Sequence, residues 1–169
     1  MEVNELLSRY QRNEKNYSNI DLSYTNLAGV DLSGAKFNQL QFKQANLNNA
    51  NLENANLGYA NFENANLRHA NLNKNYLSGV NFKNAAFSQA SLKAAILSQY
   101  ADWEFHCINL NNACFSNADL SGAKLVAVNL MMVNLDAANL SNADLRKANL
   151  LNVDLSNTNL TNANLTKAI

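Results

Sequence analysis

A large apolar residue recurs at every fifth position along most of this chain of 169 residues. The recurrence runs from Leu22 to Leu97, breaks once, and continues from Leu110 to Leu165, which gives 28 repeats. We call the large residue the centre of its repeat. The residue two positions before the centre is mostly Ala, and the residue directly before it is mostly Asn or Asp. The consensus is therefore Ala-Asn-Leu-x-x, with two variable and largely polar residues at the end.

Neither regular secondary structure can bury residues that recur with this period. On an α-helix five residues advance about 500°, so successive centres would circle the helix. On a strand, residues five apart lie on opposite faces. The centres share one interior only if the chain turns once per repeat, and four such turns close a coil of 20 residues. Coils stacked roughly 4.8 Å apart can pair like a parallel sheet. The period thus predicts an all-β solenoid of about seven coils, roughly 34 Å long.

The Ala-Asn-Leu-x-x pattern resembles that of the pentapeptide repeat family, and the resemblance covers residues 16–169. It implies a right-handed quadrilateral (four-sided) β-helix. The spacing of the centres itself divides the chain into two repeat runs, at residues 17–97 and 110–169, joined by an irregular coil at residues 98–109.

Residues 1–15 are similar to the N-terminal helical cap of many family members. Val3, Leu6, Leu7 and Tyr10 have the spacing of one face of a short α-helix. A solenoid needs such a cover because an open first coil invites strand addition. We expect a capping helix here, and a helix that binds a partner is the alternative.

The break at residues 98–109 contains Tyr100, Trp103 and His106. Trp103 is the only tryptophan of the chain. One interpretation is a structural irregularity between the two runs. The other is a protruding loop in which Tyr100, Trp103 and His106 contact a partner, since departures from a consistent local pattern often mark function.

The sequence offers no arrangement that supports catalysis or metal binding. His106, Cys107 and Cys114 do not have the spacing of a standard zinc site, and His69 is expected to be a solvated surface residue. We therefore expect no catalytic residue, no metal and no cofactor. Cys107 and Cys114 could form a disulfide or remain free, and a reducing cytoplasm favours free thiols.

Apolar residues occupy outward positions in the second run, where most repeats place polar ones. They are Val126, Ala127, Met131, Met132, Ala137 and Leu151; Met131 and Leu151 lie one coil apart, and Val126, Met131, Met132 and Leu151 are the candidate interface residues. Exposed apolar clusters usually mark interfaces, so we expect self-association through this side, against isolated harmless exposures as the alternative. Tyr76 and Ile96 form a second, weaker cluster.

Two other sets of positions bear on stability. Lys43, Glu63 and Lys83 share one outward column and alternate in sign, which indicates a solvated salt-bridge ladder of small energetic value. Asn75 occupies a small inward position, where a buried amide needs a hydrogen-bond partner.

Charge and hydropathy limit the functional classes. The chain has 13 Lys and Arg against 13 Asp and Glu, so its net charge is zero and gives no overall electrostatic attraction to nucleic acid. It has neither an apolar run that would span a membrane nor a secretory signal, so we expect a cytoplasmic protein. We expect a non-catalytic structural or protein-interaction module, whose partner is an unidentified protein or a second copy. The alternative, implied by the resemblance, is a DNA mimic that binds or inhibits DNA gyrase, and the zero net charge disfavours it.

Overall fold

The computed structural model describes residues 2–98 and 108–169. It contains one helix, α1 (Val3–Gln11), and two short strands, β1 (Asn16–Ser18) and β2 (Lys36–Asn38). The strands pair in parallel, with Tyr17 opposite Phe37. Elsewhere in the described ranges the chain forms isolated parallel bridges instead of longer strands.

The bridges join residues that lie 20 apart in the first run, and each coil carries four of them. In the first coil they join Asp21 to Gln41, Asn26 to Asn46, Asp31 to Asn51 and Lys36 to Asn56. A turn separates each bridge from the next. The predicted solenoid of 20-residue coils is therefore present, with very short strands.

We number the sides of the coil by their centres. Side 1 holds Leu22, Phe42, Phe62, Phe82, Leu110, Leu130 and Leu150. Side 2 holds Leu27, Leu47, Leu67, Phe87, Phe115, Leu135 and Leu155. Side 3 holds Leu32, Leu52, Leu72, Leu92, Leu120, Leu140 and Leu160. Side 4 holds Tyr17, Phe37, Leu57, Leu77, Leu97, Leu125, Leu145 and Leu165.

Two kinds of backbone hydrogen bond build this shape. Between coils, the N–H of Leu22 donates to the carbonyl of Gln41 at 2.8 Å. At most of the described corners, the residue two before a centre donates its N–H back to the preceding centre, as from Ala45 to Phe42 at 2.9 Å. The residue just before that donor has a positive φ, which is 56° at Gln44. Gly and Asn tolerate this conformation best, which explains their frequency at the last repeat position.

The Asn before each centre has two bonding roles that the sequence analysis did not assign. The Oδ1 of Asn46 accepts the N–H of Asn48 at 3.2 Å, which fixes the corner. Its Nδ2 donates to the Oδ1 of Asn26, one coil below, at 3.0 Å. The side-chain ladder therefore supports both the turn and the stack.

The centres fill the interior. From Tyr17 to Leu145, every centre exposes no more than 2% of its surface. Phe42, Phe62 and Phe82 stack on side 1 with ring centroids 4.8 and 5.1 Å apart. Burial decreases in the last coil, where Leu165 is 38% exposed.

Helix α1 covers the first coil. Leu6 is fully buried, and Val3, Leu7 and Tyr10 pack half-buried against the same core. The Tyr10 hydroxyl donates to the carbonyl of Ser33 at 2.7 Å and ties the helix to the coil. Nothing helical in the described ranges is long and apolar enough to cross a bilayer.

The break between the runs is an addition to one coil. The bridge offset is 20 from Tyr76 to Ile96 but 28 from Ile96 to Lys124, so eight residues are added. They fall between Leu97 and Leu110, which occupy the consecutive sides 4 and 1. Tyr100, Trp103 and His106 lie outside the described residues, and their role as loop contacts stays a prediction.

Candidate interaction surface

The outward residues of side 1 differ between its two halves. The column that follows each centre reads Ser23, Lys43, Glu63, Lys83, Asn111, Met131 and Leu151. In the polar half, the Nζ of Lys43 lies 3.3 Å from a carboxylate oxygen of Glu63, which is one step of the predicted ladder, whereas Lys83 forms no ion pair with the described residues. In the apolar half, Met132 is 72% and Leu151 54% exposed, while Met131 and Val126 are half-buried.

The same backbone device directs the side chains of both halves. The N–H of Lys83 donates to Asn81 Oδ1, and the N–H of Leu151 donates in the same way to Asn149 Oδ1, both at 3.1 Å. Lys83 and Leu151 therefore point outward from equivalent corners of their coils. The chemical difference between the halves comes from the side chains and not from the fold.

Four further apolar residues lie on side 1 or at its corners near Met131 and Leu151, with the outward amides of Asn129 and Asn149 among them. Val126 and Ala127 lie at the corner that leads from side 4 into side 1, which we call the incoming corner. Met132 lies at the outgoing corner, which leads into side 2. Ile169 follows Asn149 in the column before the centres, is 77% exposed, and donates its N–H to the Ala148 carbonyl. We call these six residues the apolar surface.

The backbone of Met132 makes its identity informative. Its φ is 62°, a left-handed conformation that favours Gly and Asn over a long side chain. Asn112 and Asn152 occupy the same column in the neighbouring coils, with φ of 56° and 61°. Long side chains also occupy the left-handed position at other corners, as at Gln44 and Lys147, and Met132 differs from these in being apolar and exposed.

Charged residues flank the apolar surface. Lys147 and Lys167 are exposed at the incoming corner, and Asp154 is exposed just beyond the outgoing corner. Hydrogen bonds from Ser156, first its backbone N–H at 2.9 Å, hold the pKa of Asp154 below its usual value. Arg146 is occupied, because it binds both carboxylate oxygens of Asp144 at 2.8 Å.

Tyr76 and Ile96 of the second predicted cluster pair across coils on side 4. Tyr76 is 41% exposed and Ile96 is half-buried. In the same region the ring of Tyr59 lies over Gly79, where a Cβ atom would approach it to 2.6 Å. The ring of Tyr59 therefore packs against the surface of its own coil stack.

Cys114 is a free thiol on side 2 and is half-buried. Its sulfur lies 3.4 Å from the Ser116 hydroxyl and 3.6 Å from the Ser88 hydroxyl. Burial raises the pKa of Cys114, but these hydrogen bonds outweigh burial and lower it. Cys107 and His106 lie outside the described ranges, and within those ranges no cluster of three acidic, His or Cys residues could hold a metal. His69 is exposed, as expected.

Asn75 is fully buried, and neither polar atom of its side chain has a hydrogen-bond partner in the part of the chain described. Its N–H reaches the Leu72 carbonyl at 3.4 Å, compared with 3.0 Å from Ala55 to Leu52 at the equivalent corner of the preceding coil. The expected partner is therefore missing, and the corner is slightly opened.

Known proteins with the same repeat match nearly the whole chain. A family model described as pentapeptide repeats matches in eight copies, over residues 16–54, 45–74, 60–99, 104–141 and 134–169. No curated protein matches the sequence. HetL, a solved pentapeptide repeat protein involved in heterocyst differentiation regulation in the cyanobacterium Nostoc, is 25% identical with a TM-score of 0.67. That alignment covers 99% of this chain and 94% of HetL.

QnrB1, a plasmid-mediated fluoroquinolone resistance protein, is more distant. Its identity is 19% and its TM-score 0.48, over 90% of this chain and 81% of the QnrB1 chain. A second Nostoc pentapeptide repeat protein is 24% identical with a TM-score of 0.34, over 94% of each chain. These similarities concern the repeat architecture alone.

Proposed function

The chain belongs to the pentapeptide repeat family, and on that premise we propose that it is a non-catalytic interaction module which binds a second copy of itself. The observation that carries the proposal is the apolar surface, where Met132 and Leu151 are 72% and 54% exposed. Exposed apolar side chains that cluster instead of scattering are typical of protein interfaces. The same family premise supports a right-handed, quadrilateral coil.

The surface has the composition expected of an interface centre. Methionine is flexible and polarisable, and it is enriched where proteins meet. Charged residues lie at the rim and not among the apolar side chains, as in interfaces of known structure. A cytoplasmic location is likewise proposed, and the content of two cysteines, too few for a disulfide scaffold, supports it.

Sedimentation equilibrium of the wild type and of a double variant, Met131→Asp with Leu151→Asp, tests the proposal. We expect a concentration-dependent dimer for the wild type and a monomer for the variant, since buried unpaired carboxylates strongly oppose association. Lys43→Asp with Lys83→Asp, in the same column of the polar half, is the matched control and should remain dimeric. A wild type that stays monomeric at high concentration would refute self-association.

Inhibition of DNA gyrase through DNA mimicry is less well supported. A duplex mimic needs acidic sides, because DNA-binding grooves select for negative charge. Here the net charge is zero, and Lys43, Lys83 and Lys124 stand along the sides. We expect no inhibition of gyrase supercoiling at micromolar protein, and inhibition would favour the mimic instead.

A further inference from the structure

One bridge on side 4 lacks the hydrogen bonds that normally accompany it. Asn56 and Tyr76 pair across coils, but in the described structure neither the N–H of Leu57 nor that of Tyr76 donates a hydrogen bond. The bridge directly below, which begins at Lys36, and the bridge directly above, which ends at Ile96, each carry two bonds of 2.8–2.9 Å. Every other isolated bridge that begins in the first run also carries two. We call the bridge between Asn56 and Tyr76 the loose rung.

The buried amide of Asn75 lies directly beside the loose rung. Its side chain points inward, and its Oδ1 and Nδ2 have no partner within the described ranges. The loose rung adds the unpaired N–H groups of Leu57 and Tyr76 and the carbonyls of Ala55 and Tyr76 that would receive bonds from them. Donors and acceptors without a described partner thus meet at one place on side 4. Buried polar groups in proteins almost always find a partner, either in the protein or in water.

The corners on both sides of the loose rung are also stretched. The N–H of Asn75 donates to the Leu72 carbonyl at 3.4 Å, and the N–H of Val80 donates to the Leu77 carbonyl at 3.4 Å. The two equivalent bonds in the coil below are both 3.0 Å. The loosening therefore extends from one corner of this side to the next.

The other three sides of the same two coils remain bonded. Phe42, Leu47 and Leu52 donate to the coil above at 2.7–2.8 Å. Side-chain amides also join the two coils on these three sides. On side 4, Tyr76 supplies no amide to Asn56. Any opening between these coils is therefore confined to side 4.

Pairs in the second run show that missing backbone bonds do not by themselves create a polar site. Leu110 and Leu135 also donate no backbone hydrogen bond to the coil above, as far as the described ranges extend. The inward residues of the coil above are Val128 and Val153, which have no polar side-chain atom. Only at the loose rung does an unpaired backbone meet a buried, unpaired amide among the described residues.

We propose that the loose rung is a binding site for a structural water molecule and the point at which the first run opens most readily. The water accepts a hydrogen bond from the N–H of Tyr76 and donates to the carbonyl of Ala55, while the amide of Asn75 holds it from the inside. A buried water typically makes about three hydrogen bonds, and this site supplies them. Water thus replaces the direct bonds on side 4. The inference does not depend on self-association.

Amide hydrogen exchange followed by NMR tests the opening residue by residue. Leu57 and Tyr76 should exchange at least about tenfold faster than Phe37 and Ile96, whose N–H groups are bonded in the neighbouring bridges. Asn75→Ala removes the amide and restores the usual small residue. Direct bonds should then close the rung, and exchange at Leu57 and Tyr76 should slow about tenfold.

The matched control is Asn48→Ala, which removes an outward, half-buried amide from side 2 of the same pair of coils. It should leave exchange at the loose rung unchanged. The water itself is detected by cross-relaxation between bound water and the N–H of Tyr76. This signal should be present in the wild type and in the control, and absent in Asn75→Ala.

Each outcome decides for or against the site. Fast exchange at the loose rung that Asn75→Ala slows, with a water signal that it removes, supports the proposal. Wild-type exchange at Leu57 and Tyr76 as slow as at Ile96 would overturn it, because direct bonds would then close the rung. Exchange that stays fast in Asn75→Ala would overturn it too, since the opening would not depend on the amide. A wild type without the water signal refutes the site whatever the exchange rates, even if the variant fails to fold.

Discussion

The two halves of side 1 use one backbone for two different surfaces. In the polar half Lys43 and Glu63 form an ion pair across coils, and in the apolar half Met131 and Leu151 occupy the same column. Both halves have inward-facing centres, buried up to Leu130 and partly buried at Leu150, and the same Asn-supported corners. The comparison teaches that in this fold the inward columns carry stability, whereas the outward columns can change their chemistry with little effect on the coil.

The largest expected loss of stability comes from truncating the inward-facing centres, which both halves of side 1 share. Phe62→Ala removes a fully buried ring that stacks on Phe42 and Phe82, and it should cost about 3–5 kcal/mol. Leu130→Ala, its counterpart below the apolar surface, should cost about 2–5 kcal/mol. Urea unfolding measures both, and Glu63→Ala, at the outward position beside Phe62, is the control. Equal effects of Phe62→Ala and Glu63→Ala would contradict the division between inward and outward columns.

Replacing Asn75 is expected to raise the free energy of unfolding, by less than the truncated centres lower it. Asn75→Ala removes a buried amide that has no partner among the described residues and restores the usual Ala, so unfolding should become harder by about 1–3 kcal/mol. Asn71→Ala is the matched control, because Asn71 donates to Asn51 at 3.1 Å and its loss should destabilise. If thermal melting of Asn75→Ala falls as much as that of Asn71→Ala, the amide has a role that its hydrogen bonding does not show.

The eight residues added between Leu97 and Leu110 can be deleted without shifting the five-residue repeat. Deleting residues 99–106 and placing Asn at Cys107 restores five-residue spacing from Leu97 to Leu110. Stability should change by less than about 1 kcal/mol, because ladder pairing already continues across the addition and a shorter connection costs slightly less entropy. Loss of cooperative melting would show that the addition is part of the core. If the deletion preserves the fold but abolishes capture of a cellular partner, the binding-loop prediction gains support.

The smallest effect on stability is expected from making the polar half resemble the apolar half. Lys43→Met with Glu63→Leu exchanges a surface ion pair for apolar side chains, and the free energy of unfolding should change by no more than about 0.5–1 kcal/mol. Association should nevertheless become stronger, as sedimentation can detect. A large loss of stability would mean that the outward columns are not independent of the coil.

The repeat period alone was sufficient to predict the coil, because only a turn at every fifth residue hides the centres from Leu22 to Leu165. The helical spacing of Leu6 and Tyr10 likewise predicted a helix where α1 lies. The resemblance to the pentapeptide repeat family is confirmed.

The corners could have been predicted more fully than they were. Gly29, Gly34, Gly79 and Gly122 share the last repeat position, and glycine at one recurring position signals a positive φ. Recognising this would have shown that Ala127 and Met132 stand where the backbone favours other residues.

Other features depend on which residues pair between neighbouring coils, and the sequence alone does not determine that pairing. Across the addition, bridged residues lie 28 apart in sequence, and only the structure shows this pairing. The spacing between centres alone would also allow the added residues to form extra sides of a coil. The position of Ile169 beside Leu151 depends on the same pairing. The unpaired Asn75 is a packing result, since an amide in that column could have met a partner.

The central claim is that the apolar half of side 1 is covered in the working form of the protein. Hydroxyl-radical footprinting at increasing protein concentration tests it within one sample, with exposed Tyr76 on side 4 as the internal reference. We expect the labelling rate of Met132 to fall several-fold as dimers form while that of Tyr76 stays constant. Equal rates for Met132 at all concentrations, or a parallel decline at Tyr76, would contradict the claim.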